Sequence, residues 1–242
     1  MEYNKKVTIM DIGFLNASLQ DLLHNYLFPR LNRKQKTFVV TANPEIVMKT
    51  RENAPYRKII QSADYVIPDG AGIVMAAKYL KNPLPERIPG YDLMNELIKF
   101  AELQGLSCYF LGAKEYVNEK TIVEVEKKFP KLKIAGNHHG YIDINDNSIA
   151  NSIASTEPDL IFVALGMPKQ EQWIAKHFDK FHKGLFMGVG GSFDVLSGEL
   201  KRAPQKWINL NLEWLYRFLK QPIRFRRLLK VFEFIFKVIL RK

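Results

Sequence analysis

Short apolar runs rich in β-branched and aromatic residues recur along the first 190 residues, separated by longer stretches whose apolar positions return every three or four residues. The runs at 7–10, 38–41, 65–67, 107–111, 133–135, 160–165 and 185–189 predict strands. The stretches 72–79, 91–104, 117–129 and 169–178 predict helices, each long enough to return the chain between parallel neighbours. After about residue 196 the pattern changes: Trp207, Trp214, Tyr216 and Phe218 interleave with basic residues. Then Lys230, Glu233, Lys237 and Arg241 recur among Phe, Ile, Val and Leu. As a helix, this last part has a narrow polar stripe and a wide apolar face.

The alternation predicts an α/β architecture over 1–196, Rossmann-like, with a largely parallel sheet covered by helices on both faces. A basic helical appendage is expected over 197–242. Ligands of such sheets sit outside the carboxyl ends of the strands. The loops expected there are 41–45, 68–72, 112–114, 136–141, 166–172 and 188–194, and they carry the chain's unusual residues.

Charge sharpens the division. The chain carries a formal +11, and residues 201–242 hold twelve Lys or Arg against two Glu, so the body is close to neutral. A basic tail on a neutral body argues against nucleic acid as the partner. The tail's apolar stretch is too interrupted and short for the roughly 20 residues that span a bilayer. A helix lying in the membrane interface, its basic residues toward anionic headgroups, fits the pattern. The same face could instead pack on the protein's own body or on a second copy of the chain. The one cysteine, Cys108, lies in an apolar run and reads as a buried structural thiol. The N-terminus shows no signal-peptide pattern, so residence in the cytoplasm is expected.

Asp69 stands between Pro68 and Gly70, just after an apolar run and just before a helix-like one. On local grounds it is a turn residue, a helix cap or an acid presented at the end of a strand. Gly188-Val-Gly-Gly-Ser-Phe-Asp194 follows a strand and could cradle a diphosphate with its backbone N–H groups. It is out of register with G-x-G-x-x-G, which disfavours a dinucleotide-dependent oxidoreductase. Asp194 could accept from a ribose or cap the next helix. No D-x-D is present, and the adjacent His138 and His139 would point to opposite sides of a strand. A metal-independent site is therefore expected. Gln170, in the first turn of a helix opened by Pro168, would face whatever occupies the rim. Thr41 and Asn43 offer a hydroxyl and an amide at the same rim. Arg87, in the proline-rich stretch 83–90, is close enough in sequence to Asp69 for an acid and a cation to share one site.

These loops together resemble the bacterial WecG/TagA/CpsF glycosyltransferase family. The resemblance runs in order through Thr41-Ala-Asn-Pro-Glu45, Pro68-Asp-Gly-Ala-Gly72, Arg87-Ile-Pro-Gly-Tyr-Asp92, Leu111-Gly112, and the run from Pro158 to Trp173. It continues through Gly188 to Asp194 with Ser197-Gly198, Arg202-Ala-Pro204, and Glu213-Trp-Leu-Tyr-Arg217 with Arg224 and Arg227. It implies an inverting transfer of N-acetylmannosamine from its UDP donor to N-acetylglucosamine on undecaprenyl diphosphate, giving a β-1,4 linkage, a committed step in wall teichoic acid linkage-unit synthesis. A related donor, such as N-acetylmannosaminuronic acid or a hexose, is the alternative. The place of action it implies is the inner face of the cell membrane.

With that implication, Asp69 is expected to act as general base, kept ionised by the helix that follows it. Arg87 is expected to meet charge developing on the leaving phosphates. Thr41 and Asn43 are assigned to the sugar or acceptor. Gly112, Gln170, Gly188, Gly190, Gly191 and Asp194 are assigned to the nucleotide and diphosphate. Tyr141 is a candidate to lie against the uracil, or a packing residue. Arg217, Arg224 and Arg227 are expected to grip the acceptor's diphosphate, because guanidinium forks match phosphate oxygens.

Overall fold

The computed structural model describes residues 6–209, 213–220 and 225–240. Eight strands occur among them: β1 (Lys6–Ile9), β2 (Ile12–Leu15), β3 (Thr37–Ala42), β4 (Tyr65–Pro68), β5 (Ser107–Gly112), β6 (Lys133–His138), β7 (Leu160–Ala164) and β8 (Leu185–Gly188). Six form one sheet in the order β4-β3-β8-β7-β5-β6. The pairings from β3 through β6 are all parallel, as the alternation predicts. The chain divides into two compact units, one of residues 19–40 and 90–200, the other of residues 1–18, 41–89 and 201–242.

In the first unit, helices Glu115–Lys128, Asn147–Ser155 and Lys169–His177 carry the chain from β5 to β6, β6 to β7 and β7 to β8. Every residue of β7, Leu-Ile-Phe-Val-Ala, is buried, which is why its run is continuously apolar and not alternating. Phe110 of β5 meets Phe162 of β7 and Phe193, with ring centroids 5.7 and 5.8 Å apart. Cys108 is fully buried, as its apolar run suggests, and burial pushes its thiol pKa far up. At the amino ends of these strands Asp159 ties three of them together. Its carboxylate accepts from the Ser107 backbone N–H at 2.9 Å and from Lys183 Nζ at 2.6 Å, while Leu185 N donates to its carbonyl at 2.9 Å. This leaves the carboxyl ends for chemistry.

In the second unit, β1 departs from its expected place. It pairs antiparallel with β2 in a two-stranded ribbon of its own, Ile9 opposite Ile12. The connection is Met10-Asp11, with φ of 48° and 65°, the backbone of a tight hairpin turn. That turn usually announces itself with Asn or Gly, so Met-Asp concealed both the turn and β2 from the sequence. The ribbon lies against β4 and helix Ala71–Tyr79. The carboxyl ends of β3 and β4 meet where Asp69 N donates to Ala42 O at 3.0 Å.

The basic C-terminal segment folds as helices Gln205–Asn209, Glu213–Lys220 and Phe225–Ile239. The last lies against helices Pro44–Glu52 and Ala71–Tyr79, burying Phe234 and Val238. Lys230 pairs with Glu52 and, at 3.2 Å, with Glu233, which Lys237 also meets at 2.7 Å. So part of the tail's apolar face does meet the protein's own body. Another part does not: Leu229, Phe232, Phe236 and Ile239 are exposed, Phe236 by 62%. Their spacings of three, four and three put them on one stripe.

Candidate active site

In the first unit, four strand ends are laced edge to edge. Ala113 N donates to Ala164 O at 2.9 Å, Gly140 N to Ala113 O at 2.7 Å, and Val189 N to Val163 O at 2.9 Å. Gly112 has φ 123°, and a Cβ there would lie 2.5 Å from the Ala164 carbonyl carbon, so no side chain fits. Beneath this lacing sits Asn118, buried on helix Glu115–Lys128. Its Nδ2 donates to the carbonyls of Phe110, Gly112 and His138 at 3.1, 2.9 and 3.1 Å, and its Oδ1 accepts from Asn137 at 2.7 Å. Asn118 escaped the sequence reading, although it adjoins the inward positions Val117, Thr121 and Val125. A polar residue beside such an apolar stripe is the signal that could have found it.

Gln170 does not face open rim. Only 5% of it is exposed; its Oε1 accepts from Gly190 N at 3.0 Å and its Nε2 donates to Glu171 at 2.7 Å. The helical period explains the turn inward, since Gln170, Trp173, Ile174 and His177 are all buried on one face. Gly188 touches the same amide: a Cβ there would fall 2.6 Å from Gln170 Nε2. Asp194 lies in the first turn of helix Ser192–Leu196 and is not its cap, which is Gly191. Its Oδ2 would lie 3.4 Å from a Cβ on Gly191, so the carboxylate sits beside the glycine loop. Tyr141 is 70% exposed, which rules out the packing role. His138 and His139 do not diverge as expected: the strand ends at His138, and their ring centroids are 4.4 Å apart.

In the second unit, Thr41 is the penultimate residue of β3. Asn43 caps helix Pro44–Glu52, its Oδ1 accepting from Ile46 N at 3.0 Å. Asp69 follows β4 directly, partly exposed, and the cap of helix Ala71–Tyr79 is Gly70 with φ 94°. The helix-cap reading of Asp69 is thereby removed. A Cβ on Gly70 would lie 3.5 and 3.8 Å from Pro44 and Asn43, so the loops bearing Asn43 and Asp69 are neighbours. Ile88 N donates to Pro68 O at 2.9 Å, which brings the backbone next to Arg87 alongside Asp69's. The Arg87 side chain itself pairs with Glu213, Nη2 to Oε2 at 3.2 Å, and the two side chains are only 10% and 9% exposed. Glu213 appeared in the sequence only as part of a motif; its partnership across 126 residues could not be read there.

The family described as glycosyl transferase WecG/TagA/CpsF matches residues 7–242. The chain belongs to that family. Among its relatives, the N-acetylglucosaminyldiphosphoundecaprenol N-acetyl-beta-D-mannosaminyltransferase of Bacillus spizizenii W23 is 39% identical over 231 residues, 96% of this chain and 90% of that protein. The protein of the same name from Staphylococcus aureus MRSA252 is 39% identical over 234 residues, covering 96% and 92%. In this WecG/TagA/CpsF glycosyltransferase, Asn43 follows β3, Asp69 follows β4 and the glycine loop follows β8. Of the tail arginines assigned to the acceptor, Arg224 lies outside the described residues. Arg217 and Arg227 fall within helices Glu213–Lys220 and Phe225–Ile239, and their side chains lie outside the described ones.

Proposed function

We propose that the protein transfers N-acetylmannosamine from UDP-N-acetylmannosamine to N-acetylglucosamine on undecaprenyl diphosphate, with inversion at the anomeric carbon. The observation that carries this reading is 39% identity to named transferases of that kind, sustained over 96% of the chain. Asp69 takes the proton of the acceptor hydroxyl as its oxygen bonds to the donor's anomeric carbon. The bond to the β-phosphate oxygen breaks, and UDP departs with the electron pair. A carboxylate set after a strand and ahead of a helix suits this task, since the helix dipole favours its charged form.

Arg87 stabilises charge on the departing diphosphate; Glu213 engages one of its five N–H donors and holds the guanidinium in place. Thr41 and Asn43 bind sugar hydroxyls, Asn43 through Nδ2 because its Oδ1 serves the helix cap. Gly112, Gly188, Gly190, Gly191 and Asp194 receive the nucleotide and diphosphate, with Tyr141 against the base. The basic tail holds the acceptor's diphosphate and lays the stripe of Leu229, Phe232, Phe236 and Ile239 into the inner surface of the cell membrane. Tyr79 and Met75 on helix Ala71–Tyr79 are exposed in the same unit, and Tyr79 Oη reaches Ile239 O at 3.5 Å, which extends that apolar surface. No helix among the described residues is long and apolar enough to cross a membrane.

The test is turnover with a panel of UDP-sugars and a lipid-diphosphate N-acetylglucosamine acceptor, with and without EDTA. UDP-N-acetylmannosamine alone should support full turnover, unchanged by EDTA. Preference for another donor, or loss of activity with the chelator, would sink the corresponding part of the proposal.

A further inference from the structure

Glu171 carries none of the roles assigned above, yet it is a carboxylate only 1% exposed, one residue from Gln170. The geometry points to Glu171 as a positioning residue that acts through Gln170 to fix the glycine loop following β8. This rests on the reading that the loop receives the nucleotide and diphosphate.

What each group can donate fixes the arrangement. A primary amide has an acceptor end and a donor end, and a side chain of glutamine can present either by rotating half a turn. Glu171, as a carboxylate, only accepts, so it must take the NH₂ end of Gln170, which it does at 2.7 Å. The carbonyl end is then obliged to face the Gly190 N–H, which it meets at 3.0 Å. With the amide reversed, two donors would confront each other at Gly190. The first turn of helix Lys169–His177 favours the charge on Glu171.

Gly188 completes the lock. Its missing Cβ would lie 2.6 Å from Nε2 and 2.9 Å from Cδ of Gln170, so the amide packs directly against the strand end and would have to shift if a side chain stood there. Gly190 itself adopts φ 50°, a conformation that glycine visits freely and that therefore needs an external hold. The chain Glu171 to Gln170 to Gly190 supplies that hold and presets the loop before UDP arrives, so that its ordering is not charged against binding.

The test titrates UDP into the full chain and measures steady-state turnover for four variants. Glu171→Met removes the acceptor at nearly constant volume; Glu171→Gln keeps an oxygen that can accept. Gly188→Ala displaces the amide from the opposite side, and Asp194→Asn reports on the loop's role itself. Glu171→Met and Gly188→Ala should weaken UDP affinity and raise the donor KM by on the order of tenfold, the loss of one charge-assisted hydrogen bond. Turnover at saturating donor should fall far less, and Glu171→Gln should restore most of the affinity. If Asp194→Asn weakens UDP while Glu171→Met does not, the positioning role is overturned and the loop's role stands. If no variant alters UDP affinity, Asp194→Asn included, both are overturned. Equal losses in the two Glu171 variants with a matching fall in thermal midpoint would mean a purely structural carboxylate and would also overturn the role.

Discussion

The pairing of Arg87 with Glu213 joins the chain's middle to the start of its basic C-terminal segment, and removing Glu213 should expose how much depends on it. Breaking a buried ion pair at one end typically costs about 3–5 kcal/mol, because the remaining charge is left buried and alone. The 3.2 Å contact and side-chain exposures of 10% and 9% place this pair near that regime, while the residual hydration of Arg87 trims the cost to about 2–3 kcal/mol. At this chain length such a loss lowers the thermal midpoint by roughly 5–10 °C. Urea unfolding of Glu213→Leu, Arg87→Met and the double variant forms a cycle in which the double should cost less than the sum of the singles by at least about 1.5 kcal/mol. Additivity within about 0.5 kcal/mol would show that the pair contributes nothing as a pair. Activity separates the roles further: Glu213→Gln should keep partial turnover, whereas Arg87→Met should lose most of it even where both remain folded.

Three further outcomes follow from other parts of the structure. Asp159→Asn, at the strand ends remote from the glycine loop, should cost about 1–3 kcal/mol of stability and leave the donor KM unchanged. Burial alone would raise the Asp159 pKa, but hydrogen bonds from Lys183 and Ser107 outweigh it and hold the pKa below its ordinary value. Its stabilising contribution is therefore whole above an ordinary aspartate value of about 3.9 and lost as pH falls through the folded-state value, so the variant should flatten the acid limb of the stability profile. Burial lowers the pKa of His177, whose Nε2 meets Ile144 O at 3.0 Å; the unfolded chain takes up that proton first, and stability should erode as pH drops below about 6.5, an effect absent from His177→Gln. Phe236→Glu should abolish co-sedimentation with anionic vesicles and leave turnover of a detergent-soluble acceptor unchanged; retained vesicle binding would remove the exposed stripe from membrane contact.

The parallel sheet was legible because each central strand is covered on both faces and so appears as an unbroken apolar run, β7 being the extreme case. The β1–β2 ribbon was not, since Met10 and Asp11 adopt left-handed backbone without the residues that usually mark it. Asp69 could be singled out from Pro68 and Gly70, but only the structure separates it from a helix cap by giving that place to Gly70. Gln170 illustrates the opposite failure: proximity to a helix start suggested the rim, while the period it shares with Trp173, Ile174 and His177 points inward. Asn118 and Glu213 do their work through contacts with other strands and segments, 126 residues away in the case of Glu213, and local sequence carries little trace of such contacts. The tail's amphipathic period was clear throughout, yet that period alone could not show that Phe234 and Val238 meet the body while Phe232 and Phe236 remain exposed.

In the proposed mechanism Asp69 accepts the proton of the attacking hydroxyl, and every other role is arranged around that step. Asp69→Asn keeps the side chain's shape and removes its basicity, so turnover of UDP-N-acetylmannosamine with the lipid-diphosphate acceptor should fall by about 10² to 10⁴ while the affinity for UDP stays within about twofold of the parent's. Turnover near that of the parent, with UDP affinity intact, would contradict the account.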